Sequence, residues 1–92
     1  MKEVVIASAC RTAIGTFGGT LRDMSTATLA CVTMKEAISR AGISAEMIDD
    51  VRFGCCMEPA DTLNVARVAS LMAGVPHSST ATTINRVCIS GM

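Results

Sequence analysis

The chain has 92 residues, half of them apolar, and its eight basic residues balance eight acidic ones. That length suits at most one domain with enough apolar material for a core, and singly scattered charges of zero net sum offer no basic patch for nucleic acid or an anionic membrane. The only aromatic residues, Phe17 and Phe53, are too few for base-stacking platforms or an aromatic-anchored interface.

Glu3 to Cys10 is a continuous apolar run, the pattern of a central parallel strand covered on both faces. With Lys2 ahead of it the run superficially resembles a short signal peptide, but it is too brief, Glu3 interrupts it, and its character is that of a strand. No segment is long enough to span a bilayer, so a cytoplasmic protein is expected. Arg11 to Asp23 contains Gly15, Gly18 and Gly19 and little periodic apolar content, which predicts a sharply turning loop. Its glycine spacing matches neither the dinucleotide fingerprint nor a P-loop.

Ser25 or Thr26 is placed to cap a helix running to about Ala41. Ala27, Ala30, Cys31, Met34, Ala37, Ile38 and Ala41 form its apolar stripe, and Gly42 supplies a left-handed cap. Asp49-Asp50 leads into a second strand, Val51 to Met57, and Glu58 to Leu63 is the next loop. Asn64 caps a second helix, Val65 to Ala73, which Gly74 closes and Pro76 keeps from continuing. In it Ala66, Ala69 and Ala73 permit close approach to a neighbour, and Arg67 reads as a solvated or structurally paired charge. Ala81 to Val87 is a third strand. The order strand, helix, strand, helix, strand with right-handed crossovers predicts an α/β fold with neighbouring parallel strands.

Cys10, Cys31, Cys55, Cys56 and Cys88 form an odd set without CxxC spacing and read as reduced thiols of a cytosolic protein. Vicinal Cys55 and Cys56 suit either a redox sensor or two small residues on opposite faces of a strand, the packing reading being the stronger. The single histidine, His77, stands in a Pro-His-Ser-Ser turn away from any cysteine cluster, so no metal site is expected.

Cys88 lies where the third strand should give way to a further helix, with Ser90-Gly91 providing the small residues a tight junction needs. A sulfur in the first turn of a helix meets the positive end of the dipole and unpaired N–H groups, which favours nucleophilic chemistry. Equally, a Cys between Val87 and Ile89 suits a small buried hydrophobe. Spacing alone leaves both readings open.

Asn85-x-x-Cys88-x-Ser90-Gly91, together with the opening Val4-Val5-Ile6-Ala7-Ser8-Ala9-Cys10-Arg11-Thr12-Ala13-Ile14-Gly15-Thr16-Phe17-Gly18-Gly19, resembles the N-terminal part of bacterial thiolases of the acetyl-CoA C-acetyltransferase type, in register from Met1 to Met92. The resemblance implies part of the N-terminal half of a layered αβαβα thiolase fold. It makes Cys88 the catalytic residue that accepts an acyl group from an acyl-CoA, its own backbone N–H forming part of an oxyanion hole. Coenzyme A thioesters are then substrates, and no cofactor is expected. Ser44 to Asp50 resembles a short helical connector of the family, and Arg67 matches a family arginine. The chain departs from the pattern where Ile89 replaces a small residue, where Thr28 replaces an acidic one, and where Ala60-Asp61-Thr62-Leu63-Asn64 replaces a glycine-rich run.

The resemblance implies further catalytic groups, including an activating histidine and a second cysteine, that match no residue here. Nor can one helical turn after Cys88 be stable alone, or two helices cover both faces of a parallel sheet. The expectation is an acyltransferase that condenses two acetyl-CoA to acetoacetyl-CoA, or the reverse. It would act with a complementing thiolase chain in a homo- or hetero-oligomer, a dimer or tetramer, and be incomplete on its own. The alternative is a non-catalytic thiolase-like subunit or scaffold, favoured by Ile89 and the altered loop.

Overall fold

A computed structural model describes all residues, Met1 to Met92. Helix α1 spans Thr26–Ala41, strand β1 Asp50–Gly54, helix α2 Val65–Met72 and strand β2 Thr80–Ile84, with single 3-10 turns at Ala45–Met47 and Val87–Ile89. The two strands pair in parallel, with Asp50 opposite Thr80 and Gly54 opposite Ile84, and the Cys55 amide adds a last rung to the Ile84 carbonyl at 3.0 Å. Helix α2 lies against both strands and α1 packs on α2. This is the expected α/β arrangement of parallel strands joined by helical crossovers.

The helix ends form where the capping chemistry places them. Ser25 Oγ accepts the Thr28 amide at 3.1 Å and pairs with the Thr28 hydroxyl at 2.7 Å, but no Thr28 side-chain bond returns to the Ser25 amide, so the reciprocal half of a capping box is not formed. Gly42 closes α1 at φ 69°, and its amide returns to the Ser39 carbonyl. The core lies where the stripe of small residues on α1 meets α2: Ala30, Val65 and Ala69 are fully buried, with Met34, Phe53 and Cys55 packed against them. Arg67 meets no carboxylate: its Nη2 donates to the carbonyls of Ser79 at 2.9 Å and His77 at 3.3 Å, while its buried Nη1 has no partner.

One expected strand does not join the sheet. Glu3 to Cys10 runs beside α1, held by the Ser8 hydroxyl donating to the Ala37 carbonyl at 2.7 Å and Cys10 Sγ donating to the Thr33 carbonyl at 3.3 Å. Arg40 donates to the Ala9 carbonyl at 3.3 Å. These bonds all use a side chain on one side. With no partner strand beside it, the segment leaves Val4 and Ile6 at 96% and 91% exposure. A run of apolar residues specifies a need for burial, while sheet membership also requires an adjacent backbone edge. Both strands are also shorter at their C-terminal ends than the apolar pattern suggests. Cys55 and Cys56 therefore lie just after β1, Cys55 half-buried and Cys56 exposed.

Candidate active site

The connection leaving β2 carries the candidate thiol. Asn85 and Arg86 depart from the ladder, Val87 turns the chain, and Cys88 sits exposed in the middle of the Val87–Ile89 turn. Val87–Ile89 forms a single 3-10 turn where an α-helix start is expected. None of these 92 residues covers Cys88, whose side chain is exposed.

What distinguishes the turn is its backbone. Val87 has φ 54°, the only non-glycine residue with positive φ, and a β-branched side chain there costs about 1–3 kcal/mol. The turn is over-determined by its neighbours. Asn85 Oδ1 accepts the Val87 amide at 2.9 Å, while Asn85 Nδ2 donates to the Cys56 carbonyl in the loop after β1 at 3.2 Å. The Ser90 hydroxyl accepts the Arg86 amide at 2.9 Å and donates to the Val87 carbonyl at 2.6 Å. Ser90, only 9% exposed, thus works as a hydrogen-bonding staple, beyond the small size for which the sequence selects it.

Around this staple the amides of Ile89 and Ser90 are committed, to the Arg86 carbonyl at 3.3 Å and the Val87 carbonyl at 3.2 Å. The Cys88 amide donates to no group of the chain. Sulfur and unpaired N–H therefore belong to one exposed residue, the pairing an acyl-accepting cysteine needs if its own amide is to receive a developing oxyanion.

Two further residues position the turn, and neither is evident as functional from its type. Gly54 ends β1 directly beneath the Ser90–Gly91 peptide, where any side chain would collide with the Ser90 carbonyl. Thr83 accepts the Ala66 amide at 3.0 Å and donates to Asn64 Oδ1 at 2.7 Å, while Asn64 Oδ1 also caps α2 through the Arg67 amide at 3.0 Å. This network ties the strand that delivers Cys88 to the first turn of α2. A lone glycine in a strand is a recognisable sign of close backbone approach, whereas Thr83 carries no such signal in the sequence. A cavity of about 550 Å³ lies alongside, lined by Arg52, Gly54, Ile84, Arg86 and residues Ser90 to Met92.

His77 does not approach the cysteine. It stands exposed before β2 and Cys88 follows it, so the five-residue strand separates them by roughly 16 Å at about 3.3 Å per residue. At the start of the sheet, Asp50 faces Thr80. The Thr80 hydroxyl, and then Arg52 at 2.9 Å, hold the Asp50 carboxyl below the ordinary carboxylate range.

A parallel strand that ends in a strained turn, presenting an exposed cysteine on a fold of stacked helices and strands, defines an α/β protein. The family model described as "Thiolase, N-terminal domain" matches residues 4–92, and the chain belongs to the thiolase family. It is 54% identical over 91 residues to an acetyl-CoA acetyltransferase of Syntrophomonas wolfei, matching 99% of this chain and 23% of that protein. An acetyl-CoA acetyltransferase of Clostridioides difficile is 47% identical over 92 residues, covering all of this chain and 86% of the relative. Among solved structures, the acetyl-CoA acetyltransferase of Bacillus anthracis superposes with a TM-score of 0.91 at 43% identity over 96% of this chain and 22% of that one. The Acat5 thiolase of Ascaris suum in complex with coenzyme A superposes with a TM-score of 0.93 at 38% identity, over 97% of this chain and 23% of its own. The chain thus spans under a quarter of three of these relatives and most of the one from Clostridioides difficile.

Proposed function

We propose that the chain contributes the acyl-accepting cysteine of a thiolase-type acyltransferase acting on coenzyme A thioesters. The observation that carries this reading is the free amide of Cys88, held beside its exposed sulfur by the turn at Val87. In the first half-reaction Cys88 Sγ attacks the carbonyl carbon of acetyl-CoA, and the oxyanion that forms is met by the Cys88 N–H. The carbon–sulfur bond to CoA then breaks, leaving acetyl-Cys88 and the CoA thiol. In the second, a carbanion formed at the α-carbon of another acetyl-CoA attacks acetyl-Cys88, giving acetoacetyl-CoA and the free Cys88 thiolate. Both steps are reversible, and two half-reactions through a covalent intermediate give ping-pong kinetics.

Each half-reaction needs a base, and His77 stands at the wrong end of β2 to serve Cys88. The reading therefore includes further thiolase sequence that brings those groups, carried on a complementing chain in an oligomer and acting in the cytoplasm. The exposed apolar side chains of Val4, Ile6, Val87 and Ile89 are consistent with such company. No helix is long and apolar enough to cross a membrane.

Ile89 motivates a second reading. It is 55% exposed next to the thiol, and a β-branched side chain there narrows the approach of an acyl group, as would suit a scaffold subunit that performs no chemistry. Incubating the native assembly with radiolabelled acetyl-CoA and mapping the label separates the two. Label on the Cys88 peptide, lost in Cys88→Ala along with turnover, is the expected result. An unlabelled Cys88 peptide, with turnover unchanged in Cys88→Ala, would establish the scaffold instead.

A further inference from the structure

Val87 occupies a conformation that its own side chain disfavours, so something outside the residue must hold it there. Its carbonyl is held by Ser90 from within the turn. Its amide is held by Asn85, and Asn85 alone among the residues of this turn reaches across to the other strand connection, through the Cys56 carbonyl. The geometry fixes which way the Asn85 amide points. Oδ1 must face the Val87 N–H and Nδ2 must face the Cys56 carbonyl, because the flipped amide would set donor against donor and acceptor against acceptor. Aspartate could keep the first bond but would press a carboxylate oxygen against the Cys56 carbonyl, and alanine would lose both.

We propose that Asn85 is a positioning residue for acyl transfer: by tying the Val87 amide to the Cys56 carbonyl, it locks Val87 in its left-handed turn and aims the Cys88 N–H at the developing oxyanion. The inference rests on the reading of Cys88 as acyl acceptor and adds to it a cause for the direction of the amide. Asn85 itself touches neither the sulfur nor the acyl group. Without the tie, Val87 is free to relax to negative φ, and the peptide that carries the Cys88 amide rotates away. The same logic identifies a compensating change, since glycine is at ease at φ 54° and would keep the turn without the tie.

The test uses the native assembly with Asn85→Ala, Asn85→Asp and the double variant Asn85→Ala/Val87→Gly. Two rates are measured: acylation of Cys88 by radiolabelled acetyl-CoA across a concentration series, and alkylation of the same thiol by iodoacetamide, which develops no oxyanion. N85A is expected to lower the saturating acylation rate roughly 10- to 100-fold, with the half-saturating concentration and the alkylation rate each within about threefold of the parent. The double variant is expected to recover most of that loss. A labelled parent with N85A labelling at the parental rate, an equal fall in acylation and alkylation, or no recovery in the double variant would each overturn the inference alone. A parent that takes no label would instead remove the acyl-acceptor reading and this inference with it. Should N85A not fold, N85D carries the same comparison: slower acylation with unchanged alkylation supports the tie, and a parental acylation rate overturns it.

Discussion

Gly54 and Ser90 meet backbone to backbone: a Cβ placed on Gly54 falls inside the van der Waals shell of the Ser90 carbonyl and lies 2.8 Å from the Gly91 nitrogen. Nothing in that contact is a flexible side chain, so nothing there can yield cheaply. Gly54→Ala is expected to push the Ser90–Gly91 peptide away from the sheet and carry the Cys88 turn with it. The expected cost is about 1–3 kcal/mol of stability together with a loss of Cys88 acylation. Thermal unfolding and acetyl labelling check the two parts, and a fully active, fully stable G54A protein would show that the contact does not position the turn.

Thr83→Val keeps the volume of the side chain and removes its hydroxyl. The amide of Ala66, a residue with no exposed surface, then loses its acceptor, and Asn64 loses one of the donors that orient it. Denaturant unfolding should show a loss of about 1–3 kcal/mol, the cost of one unsatisfied buried donor. Thr83→Ser, which restores the hydroxyl, should recover most of it.

Arg67→Met tests the tie between α2 and the start of β2. The carbonyls of Ser79 and His77 lose a charged donor, while the methionine side chain still covers the helix. A destabilisation of roughly 1–3 kcal/mol is expected, accompanied by faster amide exchange in the Pro76 to Ser79 turn.

Asp50 gives a dependence on acidity. Its carboxyl is held below the ordinary carboxylate range, first by the Thr80 hydroxyl and then by Arg52. A group whose folded value is depressed contributes stability that is fully present above its unfolded value of about 3.9 and is lost as pH falls through the folded value. Asp50→Asn should therefore be less stable than the parent at neutral pH, with the gap closing as the solution is acidified below about pH 4. Because the pair lies at the surface, the gap should also shrink in high salt. Unfolding midpoints of both proteins across pH test this, and a gap that widens toward acid would contradict it.

The helices were legible because their end signals are local. Ser25, Gly42 and Asn64 act on backbone groups within a few residues of themselves, so a reading of neighbours suffices. The strand expected at Glu3 to Cys10 was less so, since pairing depends on which edge lies alongside and no local pattern encodes that. Cys88 stands exposed at the corner that follows β2. The partners that shape the corner were not legible, because Gly54 meets Ser90, and Asn85 meets Cys56, only through the parallel crossover from β1 to β2. Ile89 departs from the family pattern, and it lies exposed beside the thiol in the same turn.

The opening segment is fastened only by contacts that include a side chain, and no amide from Met1 to Gly15 donates to another backbone group. In deuterated solvent those positions should label within seconds, as an unstructured peptide does, while the interior of α2 retains its protons far longer. If a companion chain zips onto this stretch, the same amides should become slow. Mass-resolved labelling of a peptic peptide spanning Glu3 to Cys10 would then serve as a simple gauge of whether the segment is occupied.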